Sequence, residues 1–325
     1  MPRTADSAIS ISNMTDIRKD SVTFLEVDAE DAGQRLDNYL QRLLKGVPKS
    51  HIYRILRSGE VRVNKGRVDA SYRVAAGDML RIPPIRVAER AEKTVPAATF
   101  PVVYEDDALL VIDKPAGVAV HGGSGVSFGV IEQLRRAHPE WRYLELVHRL
   151  DRETSGLLML AKKRSALTRL HDMMRDNVPD KRYLALATGH WPENVKQVKL
   201  PLYKFHTPDG ERRVKIAEGD DGQYAHTNFS IQQRYTEFTL VEAHLRTGRT
   251  HQIRVHMQAN GCAIAGDEKY GDFAYNKELA RRGLKRMFLH AKSLTLPHPL
   301  TGATLKLEAP LPPELQKFLK SLEPR

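Results

Sequence analysis

Val147-His148-Arg149-Leu150-Asp151-Arg152-Glu153-Thr154-Ser155-Gly156, continued by Leu157-Leu158-Met159-Leu160-Ala161-Lys162, is the stretch on which the fold turns. The run Leu144 to Val147 leads into it and Leu157 to Ala161 leads out. Between them sits a dense polar cluster that ends in Ser155-Gly156. Two buried strands joined by a charged loop is the simplest reading. A loop held between two core strands is a rigid place for chemistry. Taken alone, the same residues also fit an ordinary hairpin loop with solvated charges, so the rest of the chain must decide.

Bulk properties narrow the field. The 325 residues exceed one ordinary core, so about two domains are expected. Hydrophobic residues make up 41%, enough to fold, and no run approaches the ~20 apolar residues of a membrane helix. The polar N-terminus lacks the apolar core of a signal peptide. One cysteine, Cys262, rules out an internal disulfide and a cysteine-based metal site, which fits a reducing cytoplasm. The formal charge of +11 favours a polyanionic partner, nucleic acid or anionic lipid.

Upstream, residues 1–21 read as a flexible tail and 22–27 as a short strand. Residues 33–83 form a small module of two helices and a hairpin. Leu36, Leu40, Leu43 and Leu44 share one helical face, and Gly46 ends that helix. Pro48 suits the first turn of a second helix, with Ile52, Ile55 and Leu56 inward and Gly59 as its stop. Val61 to Val63 alternates as a strand, Asn64-Lys65-Gly66 turns, and Met79 to Ile82 closes the module. Its outward positions are basic: Arg35, Arg42, Lys45, Lys49, Arg54, Arg57, Arg62, Lys65, Arg67 and Arg73. So small a core suggests that the exposed face serves binding. Residues 84–99, with mixed charges and prolines, read as a linker.

From residue 100 a larger domain begins. Strands are expected at 102–104 and 109–112, and a helix at 128–137. The glycines of His121 to Gly125 lack a following Walker lysine and form no GxGxxG, so a nucleotide loop is not expected. Beyond the central stretch, 164–176 reads as a helix, Lys181 to Leu186 as a strand and 203–227 as a hairpin-rich excursion. Thr239 to Leu245 alternates as a strand. Thr250 suits the N-cap of a helix over 251–260, with Asn260-Gly261 as its stop. A short helix at 275–284 and strands within 288–308 follow. Without a repeating βαβ pattern, an α+β fold with a mixed or antiparallel sheet fits better than a doubly wound one.

Two resemblances join these parts. Gly33-Gln34-Arg35-Leu36-Asp37, then Ser50, Ile52, Ile55, Gly59, Val61, Val63 and Asn64, closing on Gly77-Asp78, resembles an S4 RNA-binding domain. Such domains present basic helix and loop residues to structured RNA, here Arg35, Lys49, Arg54, Arg57 and Lys65. His148-Arg149-Leu150-Asp151 with Thr154-Ser155-Gly156 resembles the central motif of the RluA-type pseudouridine synthases. Three further segments agree in order: Lys114-Pro115-Ala116-Gly117, Lys181-Arg182-Tyr183-Leu184-Ala185, and Thr247 to Arg254. The resemblance runs from about residue 100 to the C-terminus. Segments at 44–50, 83–88 and 120–125 look like members that act on large-subunit (23S) ribosomal RNA.

The resemblance implies an isomerase. The uridine N1–C1′ bond breaks, the base turns over and C5 bonds to C1′, with no cofactor. It implies Asp151 as the essential carboxylate and Arg254 as its neighbour. An aspartate can attack or deprotonate the ribose near C1′ while stabilising developing positive charge. Tyr183 is implied as the ring stacked on the target base, Arg149 as the group filling the gap left by the flipped nucleotide, and Ile253 as the apolar contact of the uracil. Chemistry on a paired base requires such extrusion. No metal is expected: His251 and His256 lie five apart and cannot share a helix face. His148 and His251 are expected as hydrogen-bonding framework, and Lys114 and Pro115 as a brace for the catalytic loop. The implied partner is large-subunit ribosomal RNA or its assembly intermediates, with no protein partner and a monomeric enzyme. A transfer RNA synthase and a non-catalytic RNA-binding assembly factor are the alternatives.

Overall fold

The computed structural model describes residues 21–44, 46–85, 95–123, 128–208 and 210–325. The expected tail except Ser21, Lys45, most of the expected linker and Ser124-Gly125 therefore lie outside the described residues. The chain divides into two compact units, residues 1–94 and 95–325, with the division falling inside the segment read as a linker.

The first unit runs β1 (Thr23–Glu26), α1 (Leu36–Leu43), α2 (Lys49–Arg57), β2 (Arg62–Val63) and β3 (Met79–Ile82). Its strands form an antiparallel sheet in the order β1-β3-β2. The leucine face of α1 and the Ile52, Ile55, Leu56 face of α2 are buried with Leu80 and Ile82. Each such side chain contributes roughly 1.5–3 kcal/mol. Asn64 and Lys65 take left-handed backbone in the β2–β3 connection, and the Asn64 side chain is fixed to Asp78 (2.8 Å). Ile85 also joins this core, so the packed module reaches past residue 83.

The second unit opens with β4 (Val102–Glu105), β5 (Leu109–Lys114), α3 (Val130–Ala137), β6 (Glu145–Leu146), β7 (Ser155–Ala161), α4 (Arg164–Arg175) and β8 (Asp180–Thr188). It continues with β9 (Gln197–Val198), β10 (Leu202–His206), β11 (Arg212–Ile216), β12 (Thr227–Arg234), β13 (Phe238–Leu245) and α5 (Gln252–Ala259). It closes with α6 (Phe273–Arg281), β14 (Leu289–Pro297), β15 (Thr304–Glu308) and α7 (Pro313–Lys320). A ten-stranded sheet follows the path β4-β5-β7-β14-β8-β13-β12-β9, with β15 on β14 and β6 on β7. The β7–β14 pair is parallel and the other described pairs are antiparallel. This is the mixed sheet of an α+β domain.

β7 explains the unbroken apolar run. Leu158 and Leu160 enter the core on one face of the sheet, while Leu157, Met159 and Ala161 enter the core on the other. A strand covered on both faces cannot alternate with polar residues. Three expectations need correction. Ser155 and Gly156 belong to β7 rather than to the loop turn. Thr250 does not cap α5: His251 is the capping residue, in left-handed backbone (φ 53°). The 275–284 helix starts earlier, at Phe273, because Asp272 caps it by accepting from Tyr275 N–H (2.7 Å). β12 and α7 were not foreseen.

Candidate active site

Asp151 stands in the loop between β6 and β7. That loop is fastened by several side-chain and backbone hydrogen bonds. Lys114, at the end of β5, is fully buried, and its ammonium donates to the carbonyls of Pro115 (2.8 Å), Val118 (2.8 Å) and Arg152 (3.1 Å). Burial and then the charge of Arg286 push its pKa down to about 7. Gly117 N–H also donates to the Arg152 carbonyl (2.8 Å). Arg286 donates to the Glu153 carbonyl (3.3 Å) and to Ser155 Oγ (2.8 Å) while pairing with Glu314 of α7 (3.1 Å). Because Ala309 O can only accept, His290 Nε2 carries the ring proton toward it (3.1 Å). Nδ1 then accepts from the Ser155 hydroxyl (2.9 Å). Burial lowers the His290 pKa to about 4, so the ring stays neutral. His148 secures the far end of the loop, its Nε2 accepting from Met159 N–H (3.1 Å).

Arg254 arrives from α5, whose residues Gln252 to Met257 are all buried. Its guanidinium spans two carboxylates. Nε and Nη2 form a bidentate pair with Asp267 (both 2.8 Å), and Nη1 donates to Asp151 Oδ2 (2.9 Å). Burial opposes its charge, but the hydrogen bonds and charge of Asp267, then the charge of Asp151, outweigh burial and raise its pKa. The two aspartates differ sharply. Asp267 is 0% exposed and also accepts from Lys269 N–H (2.9 Å) and Tyr270 N–H (3.2 Å), so its acceptors are filled. Asp151 keeps 25% of its side chain exposed, and its Oδ1 accepts no hydrogen bond among the described residues. His251 Nε2 lies 3.7 Å from that oxygen. His251 is oriented through Nδ1 by the Tyr270 hydroxyl (2.7 Å), which itself accepts from Val214 N–H (3.0 Å). The ring of Tyr270 lies against the Arg254 guanidinium, 5.0 Å away.

The left-handed turn into α5 is held by Gln252. Its Oε1 accepts from the Thr247 hydroxyl (2.7 Å) and Arg249 N–H (3.0 Å), and its Nε2 donates to His226 O (3.0 Å) and Thr227 Oγ1 (2.9 Å). His256 is locked between Thr227 Oγ1 (2.9 Å) and Leu200 O (3.0 Å).

Tyr183 lies on β8 in register with Ala291 of β14 and Ala243 of β13, and Ala291 is in register with Gly156 of β7. Cross-strand partners share a face, so only small side chains flank the ring. Burial and then the charge of Asp151 raise its pKa, which keeps the phenol protonated; its hydroxyl makes no hydrogen bond among the described residues. Ile253 is buried in the same core cluster as Tyr183 and Leu150. Arg149 is exposed on the catalytic loop and has no acidic partner among the described residues. Thus Arg254 bonds directly to Asp151, whose charge reaches Tyr183, while Arg149 lies two residues from Asp151 on the same loop and Ile253 precedes Arg254 on α5. Asp267, Tyr270, Arg286 and His290 were not singled out from the sequence. In the first unit, Arg35 pairs with Asp37 (2.8 Å) and Arg54 with Glu60 (3.3 Å), whereas Lys49, Arg57 and Lys65 are exposed without acidic partners among the described residues.

A mixed sheet carrying a loop aspartate against a buried arginine and a sheet tyrosine, with a separate basic module, defines an RNA-modifying isomerase. The family model described as RNA pseudouridylate synthase matches residues 108–259, and that of the S4 domain matches 34–80. The ribosomal large subunit pseudouridine synthase C of Pasteurella multocida (strain Pm70) is 52% identical over 309 residues, 93% of this chain and 94% of its own. Its namesake from Escherichia coli (strain K12) is 51% identical over 311 residues, covering 93% and 97%. The solved human RNA pseudouridylate synthase domain containing 4 has a TM-score of 0.57 at 26% identity over 69% of this chain and 94% of its own. The chain belongs to the RNA pseudouridine synthase family, with an S4 domain ahead of the synthase domain, and it converts uridine to pseudouridine.

Proposed function

We propose that this synthase isomerises uridines of large-subunit (23S) ribosomal RNA, with Asp151 as the reacting carboxylate. The observation that carries the assignment is the contrast between the two aspartates on Arg254. Asp267 is buried and saturated, so it positions. Asp151 is partly exposed and offers an unfilled oxygen, so it reacts. Held by one guanidinium bond, Oδ1 is presented to the ribose of an extruded uridine. Whether it adds to C1′ or removes the C2′ proton, the glycosidic bond breaks, the base turns, and C5 bonds to C1′. The C5 proton is lost and N1 regains one, so the reaction needs no outside oxidant or donor.

Tyr183 stacks on the target base. Being protonated, it can take the C5 proton only by passing on its own. Arg149 fills the gap that the extruded nucleotide leaves, its planar cation stacking on the neighbouring bases. Ile253 lines the apolar floor beneath the uracil. The S4 unit supplies affinity through phosphate contacts by Lys49, Arg57 and Lys65, joined by Arg35 and Arg54 once RNA competes for their carboxylates. The enzyme acts as a monomer in the cytoplasm. Among the described residues no helix is long and apolar enough to cross a membrane.

Mapping pseudouridine in total RNA, with the gene intact, deleted, or carrying Asp151→Asn, tests this reading. Loss of large-subunit sites on deletion, without rescue by Asp151→Asn, is expected. A deficit confined to transfer RNA would overturn the substrate, and full rescue by Asp151→Asn the mechanism.

A further inference from the structure

The antiparallel hairpin β10–β11 stands outside the large sheet. In its register Lys204 faces Val214 and His206 faces Arg212, so Leu202, Lys204, His206, Arg212 and Val214 share one face. That face changes character along its length. At the base, Leu202 and Val214 are buried with Val255 of α5 and Tyr270. Towards the tip, Lys204, His206 and Arg212 are exposed. The hairpin is fixed to the catalytic centre by the Val214 N–H bond to the Tyr270 hydroxyl (3.0 Å), the same hydroxyl that orients His251.

The electrostatics at this face are one-sided. The pKa of Lys204 is lowered by partial burial, then by the positive charges of Arg149, Arg212 and Arg249; no acidic group among the described residues contributes. None of the four cations has an ion pair among the described residues, although most arginines elsewhere in this unit do. Arg249 is held by its Nε, which donates to Tyr224 O (3.0 Å). Four like charges from three separate segments, gathered beside the reactive loop, destabilise the free protein. Surface charges normally avoid such an arrangement unless a polyanion completes it.

We propose that Lys204 and Arg212 of this hairpin, with Arg249, form a phosphate-binding row that holds the RNA strand flanking the extruded uridine. The proposal rests on the chain acting on RNA and adds a subsite in the synthase unit, separate from the S4 surface. The charge of Arg149, two residues from Asp151, reaches Lys204, so the phosphates the row holds are those of nucleotides adjoining the target. The occupant is a polynucleotide backbone: successive anions along one strand match cations spread over a strand pair and a loop.

The double variant Lys204→Ala/Arg212→Ala tests this in the full-length protein, with short synthetic hairpins of large-subunit ribosomal RNA sequence as probe. Removing two phosphate contacts lowers the slope of log affinity against log salt by about 1.4–1.8. Between about 50 and 200 mM salt the variant's affinity then falls about tenfold less than that of the wild type. Its melting temperature stays equal or rises, because repulsion is relieved. Lys204→Arg/Arg212→Lys keeps the wild-type slope. Uncharged methylphosphonates placed singly beside the target uridine weaken wild-type binding at one or two positions and leave the alanine variant indifferent there. An unchanged salt slope would overturn the proposal, as would an equal loss in the charge-conserving variant or a methylphosphonate effect that persists in the alanine variant. Product formation by the wild type on this RNA is read separately. Its absence would refute the substrate reading without touching the binding result.

Discussion

Asp151 and Asp267 touch the same guanidinium, yet only one was legible in the sequence. Asp151 sits in a dense motif whose partners recur in order along the chain. Asp267 lies in a loop with no periodicity, and its meaning comes from Arg254, thirteen residues away and visible as a partner only once α5 and the loop after it are folded. The same holds for Tyr270 and Arg286, which act through backbone groups that no sequence pattern displays. Replacing Asp267 with Asn should cost about 3–5 kcal/mol in urea unfolding, because a fully buried cation loses its bidentate partner. The same change should slow single-turnover pseudouridine formation far more than it weakens RNA binding, since Arg254 then no longer holds Asp151 in place. Tyr270→Phe keeps the ring over Arg254 but leaves Val214 N–H and His251 Nδ1 without their partner. A loss of about 1–3 kcal/mol is expected in the same assay.

At the level of elements, strands covered on both faces and amphipathic helices announced themselves. Elements fixed by unusual contacts did not. The turn into α5 looked like a Thr250 cap because threonine suits that position; the fold uses the Gln252 side chain and a left-handed His251 instead. α7 is not among the expected elements although Leu315, Phe318 and Leu322 are buried at helical spacing and Pro313 suits a first turn. Gly156 shows what a strand pairing can demand. Its φ is +107°, and a Cβ there would lie 2.2 Å from the Ala291 carbonyl oxygen. Gly156→Ala should therefore force β7 and β14 apart, at a cost of at least about 3 kcal/mol, seen as a lower melting temperature. Acid should loosen the same junction. The pKa of His290 is about 4 in the folded chain against 6.5 for a free imidazole side chain, so between these values the unfolded chain binds more protons. The stabilisation is complete above pH 6.5 and is lost as pH falls towards 4, roughly 3 kcal/mol in all. His148 acts in the same direction. Urea midpoints across this range should show the loss, and His290→Gln should flatten it.

On the scale of the whole chain, the two units are built on separate cores. The S4 unit encloses a small core, the synthase unit a large one on both faces of its sheet. A single unfolding free energy does not describe such a chain. Calorimetry should resolve two transitions, with the smaller one shifting upward when RNA is bound. Lys49→Ala, Arg57→Ala and Lys65→Ala should each reduce the salt slope of binding by about 0.7–0.9, read from titrations at several salt concentrations. The Val214 amide offers a way to observe the synthase unit at work. Its proton rests on the phenol that orients His251, so its exchange with deuterium proceeds only when that phenol lets go. One backbone position on an outlying hairpin thus serves as a built-in clock, reporting by isotope how long the reactive centre stays assembled.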